Sequence, residues 1–242
     1  MDKEGKEMKH FLIVSGGSIE DEAVIHYLWH EMEEEPEVVD KANLALALKE
    51  HGIQVIAADS GLRFCFRNHI IPDVAAGDFD SVDGETLFRF KEKDGIIWYE
   101  LNPMKDDTDT EFAIRKALEM GAEKITVIGG TGSRLDHVLG NVELLGIGME
   151  AGVIIELVDA HNRIRMIKEG IILQRNRQFG KYVSLIPYTE RVEHVYLKGF
   201  KYPLTDACLR GFCSLGVSNE IVDEKAEIRF EDGILLVIES RD

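Results

Sequence analysis

Basic residues are scarce in this sequence, and the deficit limits the ligands that its surface can attract. The 242 residues include 28 Lys and Arg against 45 Asp and Glu, so the formal net charge is −17. A surface this negative repels phosphate backbones, and we expect no nucleic-acid partner. A small anionic ligand stays compatible with the charge, because a divalent cation can bridge carboxylates to phosphates.

Long apolar runs are also missing. No stretch approaches the ~18 consecutive apolar residues that a membrane helix needs. The first apolar run, Phe11–Val14, stops at Ser15-Gly16-Gly17 and is too short for the core of a signal peptide. We therefore expect no membrane association.

Cysteine is equally sparse. Cys65, Cys208 and Cys213 are odd in number and are not spaced as zinc ligands. This usage is typical of free thiols in a reducing compartment, so we expect a cytoplasmic location.

No linker rich in Pro, Gly or Ser divides the chain, but its pattern changes near residue 160. Before that point, predicted strands such as Ile53–Ala58 alternate with predicted helices such as Val38–Glu50 and Thr110–Met120. Strands that alternate with helices of this length indicate a parallel sheet covered on both faces. The predicted helix Leu135–Met149 places five apolar residues on one face: Leu135, Val138, Leu139, Val142 and Leu145. We expect an α/β domain over residues 8–160.

Residues 161–242 consist of short predicted strands separated by turns. Asp232-Gly233 lies between the predicted strands Ala226–Phe230 and Ile234–Ile238, and this dipeptide is a strong signal for a β-hairpin. We expect a small all-β domain here.

Acidic and small polar residues recur where the predicted parallel strands end. Asp59 follows one strand and Gly77–Ser81 follows the next, while Lys105–Asp109 precedes a helix and Gly129–His137 joins a strand to a helix. Ligands bind beyond the carboxyl ends of the strands in an open parallel sheet. The four loops are therefore expected to gather several carboxylates in one crevice.

Asp78 and Asp80 form a D-x-D pair. In an extended segment side chains repeat every two residues, so both carboxylates would point the same way. Like charges this close are unfavourable unless a cation neutralises them, and Mg²⁺ prefers carboxylate, water and phosphate oxygens. An acidic turn that caps a helix explains the pair equally well. Asp109 favours the metal, because it brings a third carboxylate from a separate segment.

The segment Lys105–Asp109 also allows two interpretations. Asp106, Thr108 or Asp109 can N-cap the helix that follows. Capping does not explain three aspartates and a lysine together, and Lys105 could bind a phosphate as a point charge.

Gly129–Asp136 is a glycine-rich turn from a strand into a helix. Its backbone N–H groups and the helix start can hold an anion. It matches neither the G-x-G-x-x-G fingerprint nor the Walker A sequence, so the motif alone is weak. Arg134 suits a phosphate, whereas His137 taken alone is more typical of a helix histidine without a ligand. Gly216–Glu220, taken alone, is only a polar turn.

Five segments, in this order, resemble the thiamine pyrophosphokinase (thiamine diphosphokinase) family. They are AADSG at 57–61, PDVAAGDFDSV at 72–82, KDDTDTEFAI at 105–114, GGTGSRLDHVLGNV at 129–142 and GVSNE at 216–220. GDFDS, the K-D-x-T-D pattern and the R-L-D-H segment are specific in combination, although none is specific alone.

The resemblance implies an N-terminal α/β domain, a C-terminal β-sandwich domain and a homodimer. It implies that the pyrophosphoryl group of ATP is transferred, with Mg²⁺, to the hydroxyethyl group of thiamine, which gives thiamine diphosphate and AMP. Residues 8–160 would then bind ATP and magnesium and carry the catalytic groups, and residues 161–242 would bind thiamine.

The resemblance also assigns roles by position. The metal-binding carboxylates would be Asp78, Asp80 and Asp109, and Asp59 and Asp136 match further acidic positions of the active site. The nucleotide side would comprise Lys105, Asp106, Thr108, Arg134, His137 and Asn141. Ser218 and Asn219 match a thiamine-contacting segment that, in the family, completes a site across the dimer interface. The acceptor of the thiamine hydroxyl proton stays open between Asp59 and Asp136.

Two departures accompany the resemblance. The family usually shows two glycines after the first aspartate, and this chain has Asp59-Ser60-Gly61. The acidic stretch Ile19–Glu50 is longer than usual and has no assigned role.

Two other functions compete with this assignment. Gly77-Asp78 followed by Asp83 resembles the late acidic motif of phosphatases of the haloacid-dehalogenase type, but the nucleophilic D-x-D-x-[T/V] segment that they need is absent upstream of Asp78. A non-catalytic sensor of nucleotide or thiamine on the same fold would not need the complete set of carboxylates.

Overall fold

The computed structural model describes residues 8–33, 41–102 and 106–242 of the chain. The chain divides into two compact units, Met1–Ala160 and His161–Asp242. The first is an α/β unit with a parallel sheet and the second is an antiparallel β-sandwich, so the predicted fold class is confirmed.

Strands and helices alternate along the first unit, as its sequence pattern predicts. Its strands are β1 His10–Val14, β2 Gln54–Ala58, β3 Val74–Gly77, β4 Ile97–Glu100, β5 Lys124–Ile128 and β6 Ile154–Val158. Its helices are α1 Asp21–Glu31, α2 Lys41–Glu50, α3 Leu62–Arg67, α4 Gly84–Lys91, α5 Asp109–Glu119 and α6 Leu135–Ala151, and a 3-10 turn spans Asp59–Gly61. The predicted helix Val38–Glu50 corresponds to α2, and positions 38–40 lie outside the described residues.

The six strands form a parallel sheet in the order β6-β5-β1-β2-β3-β4. β1 occupies a central position, and its residues Phe11–Val14 have no exposed surface. Central strands of a parallel sheet are covered on both faces, which is why their sequences are continuous apolar runs rather than alternating ones.

Helix α6 forms where its periodicity predicts it, but its apolar face is not buried along its whole length. Leu145 is buried, whereas Leu135 and Leu139 in the first two turns are 72% and 65% exposed. Periodicity predicts a helix and its apolar side, but burial depends on which other elements pack against that side.

The second unit is a sandwich of two antiparallel sheets. Its strands are β7 Asn162–Ile167, β8 Ile171–Gln174, β9 Tyr182–Pro187, β10 Arg191–Lys198, β11 Leu204–Arg210, β12 Asn219–Glu220, β13 Lys225–Arg229 and β14 Leu235–Ser240. One sheet has the order β12-β9-β14-β7 and the other the order β11-β10-β13-β8. Apolar residues from both sheets, such as Val195 on β10 and Val237 on β14, form one core between them.

The prediction of a β-hairpin at Asp232-Gly233 is wrong, because the two flanking strands do not pair with each other. β13 pairs with β10 and β8, while β14 pairs with β7 and β9, so the turn carries the chain from one sheet to the other. Gly233 has φ +100°, and its N–H donates to the Asp232 carboxylate at 2.9 Å. The dipeptide therefore does form a tight turn. Its local chemistry does not decide whether the two flanking strands pair with each other.

The cysteines are free thiols, with Cys65 buried on α3 and Cys213 exposed. Burial raises the pKa of the Cys65 thiol to about 12, so this group stays protonated near neutral pH. Among the helices of the described ranges, none has the length and apolar character required to cross a membrane.

Candidate active site at the switch point of the parallel sheet

A cavity of about 430 Å³ opens at the carboxyl ends of β1, β2 and β5. The chain leaves β1 toward β2 on one side of the sheet and later returns to place β5 on its other side. The crevice between β1 and β5 is thus the topological switch point, where open parallel sheets bind ligands. The cavity is lined by loops that follow β1, β2 and β5 and by the start of α5: residues 15–18, 58–60, 108–110 and 129–134, together with Ser81, His137 and Asn141.

Three carboxylates converge beside this cavity. Asp59, Asp78 and Asp80 each offer one oxygen, and these oxygens lie within 4.8 Å of one another. Asp59 and Asp78 are half-buried and Asp80 is exposed. Oxygens at this spacing from two separate loops are a suitable ligand set for a hard divalent cation.

The D-x-D pair converges for a different reason from the one predicted. The segment is a turn rather than an extended strand, because Phe79 has φ +61°. The backbone N–H of Asp80 donates to the Asp78 carboxylate at 3.2 Å, and the Ser81 hydroxyl donates to Asp80 at 2.9 Å. Phe79 is buried, with its ring centroid 5.2 Å from that of Trp98. The buried ring anchors the turn and leaves the two carboxylates on its outer side.

Asp59 is held in an unusual backbone conformation. It has φ +46°, and a Cβ added to Gly77 would lie 3.0 Å from its Cα. Residue 77 itself has φ +155°, so glycine suits it both sterically and conformationally. The close approach of β3 to the 3-10 turn brings Asp59 beside the D-x-D loop.

The electrostatics of Asp59 reflect this crowding. Burial raises the pKa of its carboxyl, the charges of Asp109 and Asp78 raise it further, and hydrogen bonds from Ser60 and Ser81 oppose the shift. Its Oδ1 atom is buried and has no hydrogen-bond partner among the described residues. A buried carboxylate oxygen with no partner is costly unless a ligand satisfies it.

The predicted site residues of the α5 segment have different positions. Thr108 is the N-cap of α5, because its hydroxyl accepts the N–H of Glu111 at 3.1 Å. Asp109 is half-buried and lines the cavity, and it is close enough to influence the pKa of Asp59. Asp106 is exposed, and Lys105 lies outside the described residues.

The glycine-rich loop after β5 forms the opposite side of the cavity. Arg134 donates to the Asp136 carboxylate at 3.2 Å and 2.6 Å, and both side chains are about two-thirds exposed, at 69% and 66%. The hydrogen bond from Arg134 lowers the pKa of the Asp136 carboxyl to about 2. Asn141 donates to the carbonyl of Gly130 at 2.7 Å, so its amide supports the turn itself. His137 lines the cavity from the first turn of α6.

Sequence analysis missed the loop of Ser15–Ser18. It follows β1 directly and lines the cavity, and the Ser15 hydroxyl is hydrogen-bonded to Thr110 at 2.7 Å. The signal was present, because Ser-Gly-Gly follows the predicted strand Phe11–Val14. It carries no charged residue, and for that reason it was not recognised as part of a site.

Ser218 and Asn219 lie in the second unit, at the start of β12. Asn219 is 5% exposed, and its amide is engaged with backbone groups. Its Oδ1 accepts the N–H groups of Tyr202 at 3.0 Å and Glu220 at 2.9 Å, and its Nδ2 donates to the carbonyl of Tyr202 at 2.8 Å. Ser218 is exposed, has φ +57°, and donates its backbone N–H to the Ser184 hydroxyl at 3.0 Å. These hydrogen bonds show that the Asn219 side chain stabilises the local backbone. Its contact with thiamine stays a prediction.

Both units match models of one family. The description "Thiamin pyrophosphokinase, catalytic domain" matches residues 46–154, and "Thiamin pyrophosphokinase, vitamin B1 binding domain" matches residues 169–235. The chain is 35% identical over 187 residues to the thiamine pyrophosphokinase of Bacillus subtilis, which covers 77% of this chain and 87% of that protein.

Solved structures agree with this similarity. The thiamine pyrophosphokinase structure from Bacillus subtilis has a TM-score of 0.80 at 31% identity, covering 97% of this chain and 100% of the other. The thiamin pyrophosphokinase structure from Geobacillus thermodenitrificans has a TM-score of 0.76 at 30% identity, covering 96% and 98%. The yeast thiamin pyrophosphokinase structure has a TM-score of 0.73 at 15% identity, covering 98% of this chain and 87% of the other. At this identity the similarity shows the shared fold alone. On the identity, the coverage and the match of both units, the chain belongs to the thiamin pyrophosphokinase family.

Proposed function

We propose that this protein transfers the pyrophosphoryl group of ATP to the hydroxyl of thiamine, giving thiamine diphosphate and AMP. The observation that carries the proposal is the convergence of Asp59, Asp78 and Asp80 at the switch point of a chain that belongs to this family. The hydroxyl oxygen attacks the β-phosphorus of ATP, and AMP leaves. Little covalent chemistry is required of the protein, so catalysis consists mainly of positioning and of stabilising charge on the phosphate oxygens.

Magnesium fits the donor set of this site. The three carboxylates carry like charges within 4.8 Å, and the buried Oδ1 of Asp59 lacks a protein partner within the described ranges. Asp78, Asp80 and Asp59 would hold the ion, which when bound supplies positive charge to the phosphate oxygens. Asp109, the third ligand expected from the sequence, lies outside the group of mutually close oxygens, and its role as a ligand stays a prediction.

The loop after β5 and the start of α5 form the proposed nucleotide side. Thr131–Ser133 and Arg134 line the cavity with Thr108, His137 and Asn141. Backbone N–H groups of such a turn and an arginine are suitable partners for a phosphate. Arg134 is already paired with Asp136. A phosphate that binds Arg134 must therefore share the guanidinium with that carboxylate.

The two candidates for accepting the thiamine hydroxyl proton differ in their electrostatics. Asp136 is a weak base, because Arg134 lowers its pKa to about 2. Burial raises the pKa of Asp59, and a carboxylate with a raised pKa accepts a proton more readily. Asp59 is also proposed as a ligand of the ion, and a bound cation lowers the basicity of its carboxylate ligand, so the acceptor stays open between Asp59 and Asp136.

We propose that thiamine binds through the second unit, near Ser218 and Asn219, and that the active protein is a homodimer. The exposed apolar residues Leu135 and Leu139 are consistent with a surface that another chain covers. Sedimentation of the purified protein tests the dimer. The cytoplasmic location expected from the free thiols stays a prediction.

The activity is tested by incubating the protein with thiamine, ATP and Mg²⁺ and quantifying AMP and thiamine diphosphate. Equal amounts of the two products are expected. Free phosphate without AMP would instead indicate the phosphatase, and binding without turnover would indicate the sensor. The family assignment supports neither of these alternatives.

A further inference from the structure

The loop of Ser15–Ser18 lies between two cavities and contributes to the lining of both. One side faces the cavity at the switch point. Behind the loop lies a second cavity of about 390 Å³, lined by residues 15–19 and by Ser60, Arg63, Phe64 and Arg67. A loop with a cavity on each face is closely packed only along its edges, so the contacts at those edges fix its position.

One edge of the loop fits tightly against the glycine-rich loop after β5. The N–H of Gly17 donates to the carbonyl of Gly129 at 2.8 Å. A Cβ at Gly17 would lie 2.4 Å from that carbonyl oxygen and 2.5 Å from the carbonyl oxygen of Thr131. The two loops therefore share one wall of the nucleotide side, and a shift of one changes the shape offered by the other.

Ser60 holds the middle of the loop. Its hydroxyl donates to the carbonyl of Gly16 at 3.2 Å, and a Cβ at Gly16 would lie 2.5 Å from the Ser60 Oγ. The Ser60 backbone N–H hydrogen-bonds the Asp59 carboxylate. A glycine at position 60, as in the family pattern Asp-Gly-Gly, would keep the N–H but not the hydroxyl contact.

Asp21 holds the exit of the loop, where α1 begins. Its carboxylate accepts hydrogen bonds from Arg67 at 2.8 Å and 3.2 Å and from the buried Asn68 at 3.1 Å. Both partners lie at the end of α3, and Arg67 also lines the second cavity. The far end of α1 is held separately, because Glu31 pairs with Lys124 on β5. The Asp21–Arg67 ion pair thus lies at the end of α1 near the loop, and the Glu31–Lys124 pair lies at the end away from it.

We propose that Asp21 and Ser60 are positioning residues that hold the Ser15–Ser18 loop as the wall of the nucleotide-binding crevice. The inference rests on the proposed function in that the crevice is taken to bind ATP. It gives a role to α1, in the acidic stretch of Ile19–Glu50 that sequence analysis left without one.

Asp21→Asn and Ser60→Ala test the proposal, and Glu31→Gln is the matched control. Glu31→Gln removes a carboxylate contact at the far end of the same helix. Calorimetry with a non-hydrolysable ATP analogue and Mg²⁺ measures the Kd, and thermal unfolding of each variant measures the structural cost. We expect Asp21→Asn and Ser60→Ala to raise the Kd about fivefold or more. Glu31→Gln should lower Tm but change the Kd less than twofold, and Ser60→Thr, which keeps the hydroxyl, should bind as the wild type does.

Kinetics separate positioning from general destabilisation. The positioning role predicts that KM for ATP rises in Asp21→Asn and Ser60→Ala while KM for thiamine is unchanged. Equal changes of the Kd in Asp21→Asn and Glu31→Gln, or an unchanged Kd in Ser60→Ala, would overturn the proposal. The Kd is measured without turnover, so wild-type protein that binds the analogue but makes no thiamine diphosphate contradicts the proposed function alone.

Discussion

Two motif residues, Asp59 in the first unit and Asn219 in the second, are used in opposite ways. In the first unit, the Oδ1 of Asp59 is buried without a hydrogen-bond partner among the described residues, beside Asp78 and Asp80. In the second unit, the amide of Asn219 is engaged by the backbone of Tyr202 and Glu220. A motif residue with unsatisfied polar atoms is available to a ligand, whereas one with satisfied atoms first stabilises the fold. Substitution of a carboxylate in the cluster of Asp59, Asp78 and Asp80 should therefore affect chemistry, and substitution of Asn219 should affect stability as well.

The largest effect is expected from Asp80→Asn in the first unit. The change keeps the shape of the side chain but removes one of three converging charges. We expect kcat to fall by about 10³-fold or more, on the scale of losing an electrostatic catalytic group. Tm without metal should be unchanged or higher, because like-charge repulsion is relieved, and the rise of Tm with added Mg²⁺ should disappear.

Asp83→Asn is the control for that variant. Asp83 is only three residues away, but its carboxylate caps α4 by accepting the N–H of Thr86 at 2.9 Å. Asparagine is also a good N-cap, so near-normal activity and Mg²⁺ response are expected. The metal assignment would be wrong if Asp80→Asn kept near-normal turnover or an unchanged Mg²⁺ response.

Asn219→Ala should show the mixed behaviour of the second unit. The change leaves two backbone N–H groups and one carbonyl without their partner, so we expect the free energy of unfolding to fall by about 2–3 kcal/mol. KM for thiamine should rise while KM for ATP is unchanged. Denaturant unfolding and steady-state kinetics measure the two effects, with the exposed Asn176 changed to Ala as the control. A loss of thiamine binding without any loss of stability would contradict the structural role of Asn219 on which the comparison between the units rests.

A pH dependence of stability should distinguish the first unit. Burial, with the charge of Lys124, lowers the pKa of His10 to about 3, and Glu156 partly opposes the shift. The pKa of an unfolded histidine is near 6.5. Between these values the unfolded chain binds more protons than the folded chain, so the free energy of unfolding falls as the pH falls below 6.5. The loss between pH 7 and pH 5 is about 2 kcal/mol.

His10→Gln should remove this pH dependence, because glutamine does not titrate and can still hydrogen-bond Thr126, which lies 2.9 Å from the His10 ring. Both histidines of the second unit, His161 and His194, are exposed. Hydrogen exchange at pH 7 and pH 5 would compare the units, and the exposed His26 changed to Gln serves as the control. Equal slopes of stability against pH in His10→Gln and the wild type would contradict this assignment.

The smallest effect is expected from Thr108→Ala. The change removes the N-cap of α5 and should lower the free energy of unfolding by about 1 kcal/mol. Thr108→Ser keeps the cap and should restore the stability. If Thr108 also contacts ATP, the alanine variant raises KM for ATP beyond what the loss of stability explains. An unchanged unfolding free energy would mean that the cap contributes nothing to α5.

Prediction from the sequence was most successful where the information is local. Four of the six strands in the first unit, β2, β3, β5 and β6, are followed directly by Gly or Asp. Strand β5 was predicted with its observed limits of Lys124–Ile128. The prediction was wrong where the structure depends on which strands pair. The strands on either side of Asp232-Gly233 belong to different sheets and do not form the predicted β-hairpin. Strand β11, Leu204–Arg210, was not predicted at all, because apolar and polar residues do not alternate in its sequence LTDACLR.

The candidate site shows the same limit. Asp78 and Asp80 were expected to converge because of strand alternation, but the buried ring of Phe79 and its φ of +61° produce the turn. Asp59 was recognised as an acidic position, but its closeness to the D-x-D loop follows from the packing of β3 against the 3-10 turn.

Composition, periodicity and motif order were sufficient for the fold class, for most element boundaries and for the family, because each can be read from the order of residues without knowing which distant residues are in contact. The folded chain alone decided which carboxylates meet, that the uncharged Ser15–Ser18 loop forms a wall of the crevice, and that Asn219 is engaged by its own backbone. These outcomes arise from contacts between residues that are distant in sequence, such as Asp21 and Arg67. Such contacts depend on how the sheet orders its strands, and no local pattern of residues contains that order.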